Sequence, residues 1–295
     1  MSKPYLITMD GIEVLARKLG INEVNDMPDL RNALIEIQEN LATAMKNVIS
    51  PEYTLKIIYA SDVSKKMDAA IAKVKIMNET AMVVSLDRVY CPNADFYLEV
   101  TRETNPLDGT YRIANRFGAP AVDVQMAMLK QMMNDKRRYD AVILTDVGSF
   151  EGKTLEFITK EIEKFGIPVA GVVLGASSDI LTNKLKNKYN DNGIVTEVVN
   201  IDQSMEYEWL EMRDLLLIDG RKVPDSYTAD GIRRYIPYTE DLQSFASIPK
   251  DKIEECKALC RNSYGQITGM LRNAGVDVKK RVGEFVPLVK SRNAD

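Results

Sequence analysis

The chain runs to 295 residues without a single histidine. That excludes Ser-His-Asp and Cys-His catalysis, and any histidine-ligated metal centre. Acid–base work is left to Asp, Glu, Lys or Tyr. Cysteine is scarce: Cys91, Cys256 and Cys260 are the three. The last two stand one helical turn apart with no further Cys or His near them. They make a poor zinc set, are expected as plain helix residues, and suit a reducing compartment. No uninterrupted apolar run approaches membrane-spanning length, and the opening MSKPYLITMDG is no signal peptide, so the expected setting is cytoplasmic. A net charge of −4 gives no general case for nucleic-acid or membrane binding. There is no internal repeat and no low-complexity linker.

What is present is a soluble globular composition, 45% hydrophobic and 28% charged. Its length allows one large domain or two modest ones. The stretch from Ala141 to Ala176 organises the rest. Ala141-Val142-Ile143-Leu144 reads as a buried strand. Thr145-Asp146 and a small-residue turn, Val147 to Thr154, follow it. A helical pattern then runs to Phe165, Gly166 stops it, and Ile167 to Leu174 is the next apolar run. This is a strand–loop–helix–strand unit, which predicts a parallel strand pair. A helix N-terminus just after a buried strand presents backbone N–H groups without intrahelical partners, a seat for phosphate.

Around residues 145–154 the sequence resembles the phosphoribosyl-diphosphate (PRPP) motif of type I phosphoribosyltransferases. In that family a strand ends in two acids, a loop of small residues follows, and a Gly-Lys-Thr-like triplet opens a helix. Asp146 matches the second acid, and Gly152-Lys153-Thr154-Leu155 match the end of the motif. Two departures stand out: Thr145 replaces the first acid, and the loop is one residue longer, with Phe150 and Glu151 in it. The resemblance extends over roughly residues 80 to 200, with a specific core of about a dozen residues. It implies that Asp146 holds the ribose, and that Gly148, Ser149, Glu151, Gly152, Lys153 and Thr154 form the 5-phosphate site. It also implies that Mg2+ arrives with PRPP. Phosphoribosyl transfer suits a chain without histidine, because its oxocarbenium-like transition state chiefly needs charge stabilisation and positioning.

Two other readings of the same residues stay open. Gly148 to Thr154 is one residue short of the Walker A pattern G-x-x-x-x-G-K-[ST]. It also reads as an ordinary strand-to-helix turn, with Ser149 or Glu151 near the cap and glycines there for geometry.

The flanks supply further candidates. Ala81 to Leu86 reads as a strand, and Arg88 just after it is a candidate pyrophosphate contact or a surface ion-pair partner. Residues 95–118 read as a hairpin, placed where the family carries a mobile loop over the site. Arg102, Arg112 and Arg116 are pyrophosphate candidates on it, against the reading of a plain solvent-exposed ribbon. Asp10 is expected to cap a helix over Gly11–Leu19, and a second helix runs from near Leu30 to about Ile49. Ile248 onward predicts a helix through Cys260, with a separate helical piece from Tyr264 to Asn273. Trp209, Tyr227, Tyr235 and Tyr238 are candidates to stack a base, or simply core and interface aromatics.

The expected architecture is α/β, a mostly parallel sheet of the type I phosphoribosyltransferase kind. The expected segments are a helical N-terminal piece over 1–54, the α/β core over 55–202, and a hood or C-terminal extension over 203–295. The expected partner is a small-molecule phosphoribosyl or nucleotide ligand, and the N-terminal helices are a cap or a homo-oligomer surface. The function implied is transfer of phosphoribosyl between pyrophosphate and a base. The alternative is a non-catalytic relative that senses a nucleotide or serves as an assembly subunit.

Overall fold

The computed structural model describes residues 2–20, 28–136, 139–149, 152–177, 179–190, 193–199, 207–228, 230–244 and 246–289. In chain order the elements begin with β1 (Lys3–Met9), α1 (Gly11–Leu19), α2 (Pro28–Ala44), β2 (Tyr53–Tyr59), α3 (Ala60–Met77), β3 (Ala81–Ser85), β4 (Phe96–Tyr97), β5 (Val100–Thr104) and β6 (Tyr111–Asn115). They continue with α4 (Val122–Lys136), β7 (Ala141–Ser149), α5 (Lys153–Lys164), β8 (Val169–Ser177), α6 (Asp179–Asn190), β9 (Val195–Val198), β10 (Glu208–Glu211) and α7 (Met212–Leu215). The last are β11 (Arg221–Lys222), β12 (Arg234–Ile236), α8 (Ile253–Asn273), α9 (Val278–Arg281) and β13 (Glu284–Phe285). The fold is α/β, with two sheets whose strand pairs are all parallel. No helix among the described residues is long and apolar enough to cross a membrane.

The chain divides into two compact units. The first gathers 1–59, 102–112 and 206–295; the second gathers 60–101 and 113–205. The expected borders at 54/55 and 202/203 lie within a few residues of these. The N-terminal piece and the C-terminal extension, however, belong to one unit.

In the second unit the sheet order is β4-β3-β7-β8-β9. β-Branched and aliphatic residues fill its middle strands, and alternate residues face opposite sides. Met82, Val84, Val142, Leu144, Val172 and Leu174 join Met126, Leu129 and Met133 of α4 and Leu155, Ile158 and Ile162 of α5 in one buried cluster. The intervening residues Val83, Ile143 and Val173 are buried as well. Both faces are therefore covered, as parallel sheets require. α5 forms because Leu155, Ile158, Thr159 and Ile162 recur at helical spacing and all face inward. Gly166, at φ 63°, ends it. Glycine in β8 admits close neighbours: a Cβ at Gly171 would sit 2.5 Å from Val74 Cγ1 of α3.

In the first unit β1 is central in a β10-β1-β2 sheet, and Tyr5, Leu6 and Ile7 have no exposed surface. Its partner β10 lies some two hundred residues away in sequence, paired Tyr5 to Glu208. α8 runs unbroken from Ile253 to Asn273, so the two helical pieces expected there are one. Gly265 and Gly269 lie inside it with nothing near their absent side chains, a tolerated cost in helix propensity rather than a break. Asp10 precedes α1 but makes no side-chain cap. Its carboxylate instead accepts the Arg213 N–H at 3.1 Å and faces Arg213 Nε at 3.2 Å. A second sheet, β13-β12-β11-β5-β6, includes a buried ion pair, Lys222 Nζ to Glu103 at 3.2 Å.

Two stability outcomes follow from this packing. A Cβ on Gly175 of β8 would lie 2.6 Å from the Val147 carbonyl oxygen, a backbone atom with no rotamer to yield. Gly175→Ala is expected to cost about 1–3 kcal/mol in urea unfolding. Asp214 Oδ1 is sealed from solvent without a hydrogen-bond partner. Burial first, then Glu211, raises its pKa well above the usual carboxylate value, against the lowering pull of Arg213. Its unfolded counterpart ionises above about pH 3.9, so stability drains away as pH rises from there toward the raised folded value. Asp214→Asn is expected to gain on the parent chain, by about 1 kcal/mol or more at neutral pH and less below about pH 4. Urea unfolding across that range measures it.

Candidate functional site

Parallel pairing sets the C-terminal ends of β3, β7 and β8 side by side. Ser85 of β3 pairs with Thr145 of β7, which pairs with Val173 of β8. β7 and β8 run on together beyond the end of β3, as far as Ser149 opposite Ser177. This corrects the expected loop: Val147, Gly148 and Ser149 are strand, not turn. Small residues have weak strand preference of their own, and the ladder to β8 decides their conformation. Val147 and Ser149 are buried and Gly148 half-buried.

The turn into α5 is therefore short. Phe150 and Glu151 lie outside the described residues. Gly152 occupies the N-cap position at φ 76°, where glycine is unstrained, and accepts the Glu156 N–H at 2.8 Å. Gly152 has no side chain with which to cap the helix; of the two residues expected near the cap, Ser149 lies in β7 and Glu151 is outside the described residues. Lys153 is exposed and Thr154 half-buried on the first turn. The amides of that turn have no intrahelical acceptor, and the helix dipole favours an anion in front of them.

Asp146 is half-buried on β7, and its Oδ1 accepts the N–H of Val147 at 2.9 Å. Thr145 points the opposite way, with no exposed surface, and its Oγ1 donates to Cys91 Sγ at 3.4 Å. The loop after β3 is tied just as closely. Ser85 Oγ donates to the Asp87 carbonyl at 2.7 Å and accepts the Asp87 N–H at 3.1 Å. Asp87 Oδ1 accepts the Val89 N–H at 2.7 Å, and this carboxylate is buried. Nothing in residue type marked Ser85, Asp87 and Cys91 as one group with Thr145. The register between β3 and β7 is what joins them.

Arg88 follows in that loop. Its guanidinium stacks on the Tyr97 ring, 4.0 Å from the centroid, and bonds Glu99 through Nε. Arg116 Nε stands 3.8 Å from the same carboxylate. The Glu99 N–H is held by Gln125 Oε1 at 2.7 Å. Arg102 and Arg112 belong to the other unit. There Arg102 lies over Tyr111, and Arg112 bonds Glu103 at 2.7 Å. Asp146, Arg88 and the start of α5 thus share one unit, and the two hairpin arginines are not part of it. The candidate base-stacking aromatics also fall in the first unit. There the Trp209 indole donates to Thr8, and the buried Tyr235 hydroxyl donates to the Leu217 carbonyl.

Compared with protein-family models, with curated proteins and with solved structures, the chain matches none.

Burial pushes the Cys91 thiol up to about 11, against the lowering effect of hydrogen bonds from Thr145 and Ser85. In the unfolded chain a thiol ionises near pH 8.5. The contribution of the neutral thiol is whole below that pH and is lost as pH rises toward the folded value. The stability advantage of the parent chain over Cys91→Ala is expected to shrink by about 2–3 kcal/mol between about pH 8 and about pH 11. Urea unfolding of both chains across that range measures it.

Proposed function

We propose that the second unit is a phosphoribosyltransferase-like module that takes PRPP or a 5'-phosphorylated nucleotide at the C-terminal edge of its parallel sheet. The observation that carries this reading is the end of β7. Asp146 stands half-exposed on the central strand, and the N-terminus of α5 opens at Gly152, with Lys153 and Thr154 on its first turn. Open parallel sheets take ligands at this edge. On this reading Asp146 holds the ribose hydroxyls. The first-turn amides, Lys153 and Thr154 hold the 5-phosphate, and Arg88 takes the pyrophosphate.

Magnesium belongs to the same reading. It keeps several waters and binds through one or two carboxylates together with phosphate oxygens. Among the described residues no group of three or more His, Cys, Asp or Glu is placed to hold a metal ion. On this reading the ion is carried in by the ligand's own phosphates and steadied by Asp146. The charge it supplies there would favour departure of pyrophosphate.

The second reading is a non-catalytic nucleotide sensor, and one observation favours it. The position of the motif's first acid is Thr145, whose side chain is turned into the core toward Cys91. Binding then survives without transfer.

Titration calorimetry with PRPP and magnesium, paired with a pyrophosphate-release assay across a panel of bases, separates the two. Both readings require binding, and Lys153→Ala is expected to weaken it by about ten- to a hundredfold, the worth of one charge-assisted hydrogen bond. Release that Asp146→Asn abolishes supports transfer; binding without release supports the sensor. A chain that binds neither PRPP nor any 5'-phosphorylated nucleotide overturns both.

A further inference from the structure

Three sulfur-bearing side chains, Met45, Cys256 and Cys260, lie in the core of the first unit. Met45 follows α2 in a single 3₁₀ turn, Met45–Asn47. Cys256 and Cys260 lie one turn apart on α8, and none of the three side chains has exposed surface. Cys256 Sγ stands 3.8 Å from Met45 Sδ. Both thiols are free rather than joined as a disulfide. Thiolates bind a metal at about 2.3 Å, so three sulfurs arranged trigonally round one ion stand about 4 Å apart. The Cys256–Met45 spacing is close to that figure before any ion is considered, and Cys260 follows one helical turn later on the same buried face of α8.

The donor set selects the ion. Two thiols and a thioether are soft ligands, and no imidazole exists anywhere in the chain. Zinc takes four ligands, usually Cys with His. Thiolate and thioether together suit copper in its lower oxidation state. We propose that Met45, Cys256 and Cys260 form a three-sulfur site for a single cuprous ion. Binding breaks the two S–H bonds, forms two copper–thiolate bonds and one dative bond from Met45 Sδ, and releases two protons to solvent. Copper stays Cu(I), and no electron moves. The site links the turn after α2 to the N-terminal turns of α8, two helices that already pack together. A bound ion therefore adds its binding energy to the stability of this unit.

The test uses the full chain and cuprous ion buffered by a chromophoric chelator under anaerobic conditions. It is run on native protein and on protein refolded with the ion present, because the sulfurs are buried. The expected result is one Cu(I) per chain, with X-ray absorption showing an all-sulfur shell of three at about 2.3 Å. Cys256→Ser with Cys260→Ser is expected to abolish uptake, and Met45→Leu to weaken it by about tenfold, the scale of a lost supporting ligand. Circular dichroism checks that the variants fold. Should the double variant not fold, the absorption spectrum of the parent chain decides. A two-coordinate sulfur shell, or any shell containing nitrogen or oxygen, removes the proposal. So does a parent chain that takes up no copper even on refolding, which would leave the three sulfurs as core packing.

Discussion

β7 is hydrogen-bonded on both sides and covered on both faces, and the candidate site is a consequence of that confinement. Its pairing with β3 fixes Ser85 beside Thr145, and its pairing with β8 runs on to Ser149. A strand held in this way cannot slip by one residue without moving Leu144 and Val142 out of the core, which are fully buried. The same constraint decides that Thr145 turns inward and that Asp146 reaches the opposite face. The helix that follows can start only where the ladder ends, and Gly152 with its positive φ makes the reversal without strain. The position of the candidate anion seat at α5 is thus set by the sheet more than by the turn.

Strong local signals in the sequence correspond to real elements here. The apolar runs of β3, β7 and β8, the helical spacing of α5 and the stop at Gly166 could all be read without a structure. Their burial is expressed within a few residues of each position. What could not be read depends on distant partners. Gly148 and Ser149 look like turn residues, and only their partners on β8 make them strand. The gap expected between Cys260 and Tyr264 is absent, because Ser263, Ile267 and Leu271 continue the buried stripe of α8 begun by Cys256 and Cys260. Nothing near β1 announces that Glu208 to Glu211 will pair with it. At the site, Asp146 and the Gly152-Lys153-Thr154 triplet were visible as a motif. The links of Thr145 to Cys91, and of Arg88 to Glu99, were not, since each joins residues far apart in register or loop.

A chain without histidine has few groups that change charge near neutral pH. Its polar clusters accordingly differ in how they manage charge. In the first unit Arg213 serves both Asp10 and Glu211, and burial raises the pKa of Asp214 against the opposing pull of the same arginine. Around β7 the polar groups are neutral hydroxyls, a thiol, and carboxylates that accept backbone N–H groups. A phosphate entering at α5 would find the nearest strand carboxylate, Asp146, already turned toward the Val147 amide. Like-charge repulsion there is reduced, because a carboxylate engaged by N–H donors has part of its charge compensated.

The engagement of Arg88 bears on the proposed pyrophosphate contact, since this arginine already has a carboxylate and a ring. An exposed ion pair is worth about 0.2–1 kcal/mol, and Arg88 is nearly half exposed. A charge-assisted bond to a phosphate oxygen is worth about 1.5–3 kcal/mol. On the proposed reading, exchange of Glu99 for phosphate replaces one charge-assisted bond with another. It does not strand the carboxylate. Arg116 remains 3.8 Å from it, and Gln125 keeps the Glu99 backbone in place from both sides, taking its N–H and donating to its carbonyl. Tyr97 stays anchored through its hydroxyl to the Cys91 and Pro92 carbonyls while its ring face is exposed by the exchange. The loop after β3 can then release one arginine and keep its shape, because its other hydrogen bonds run between Ser85, Asp87 and Val89 and do not involve Arg88.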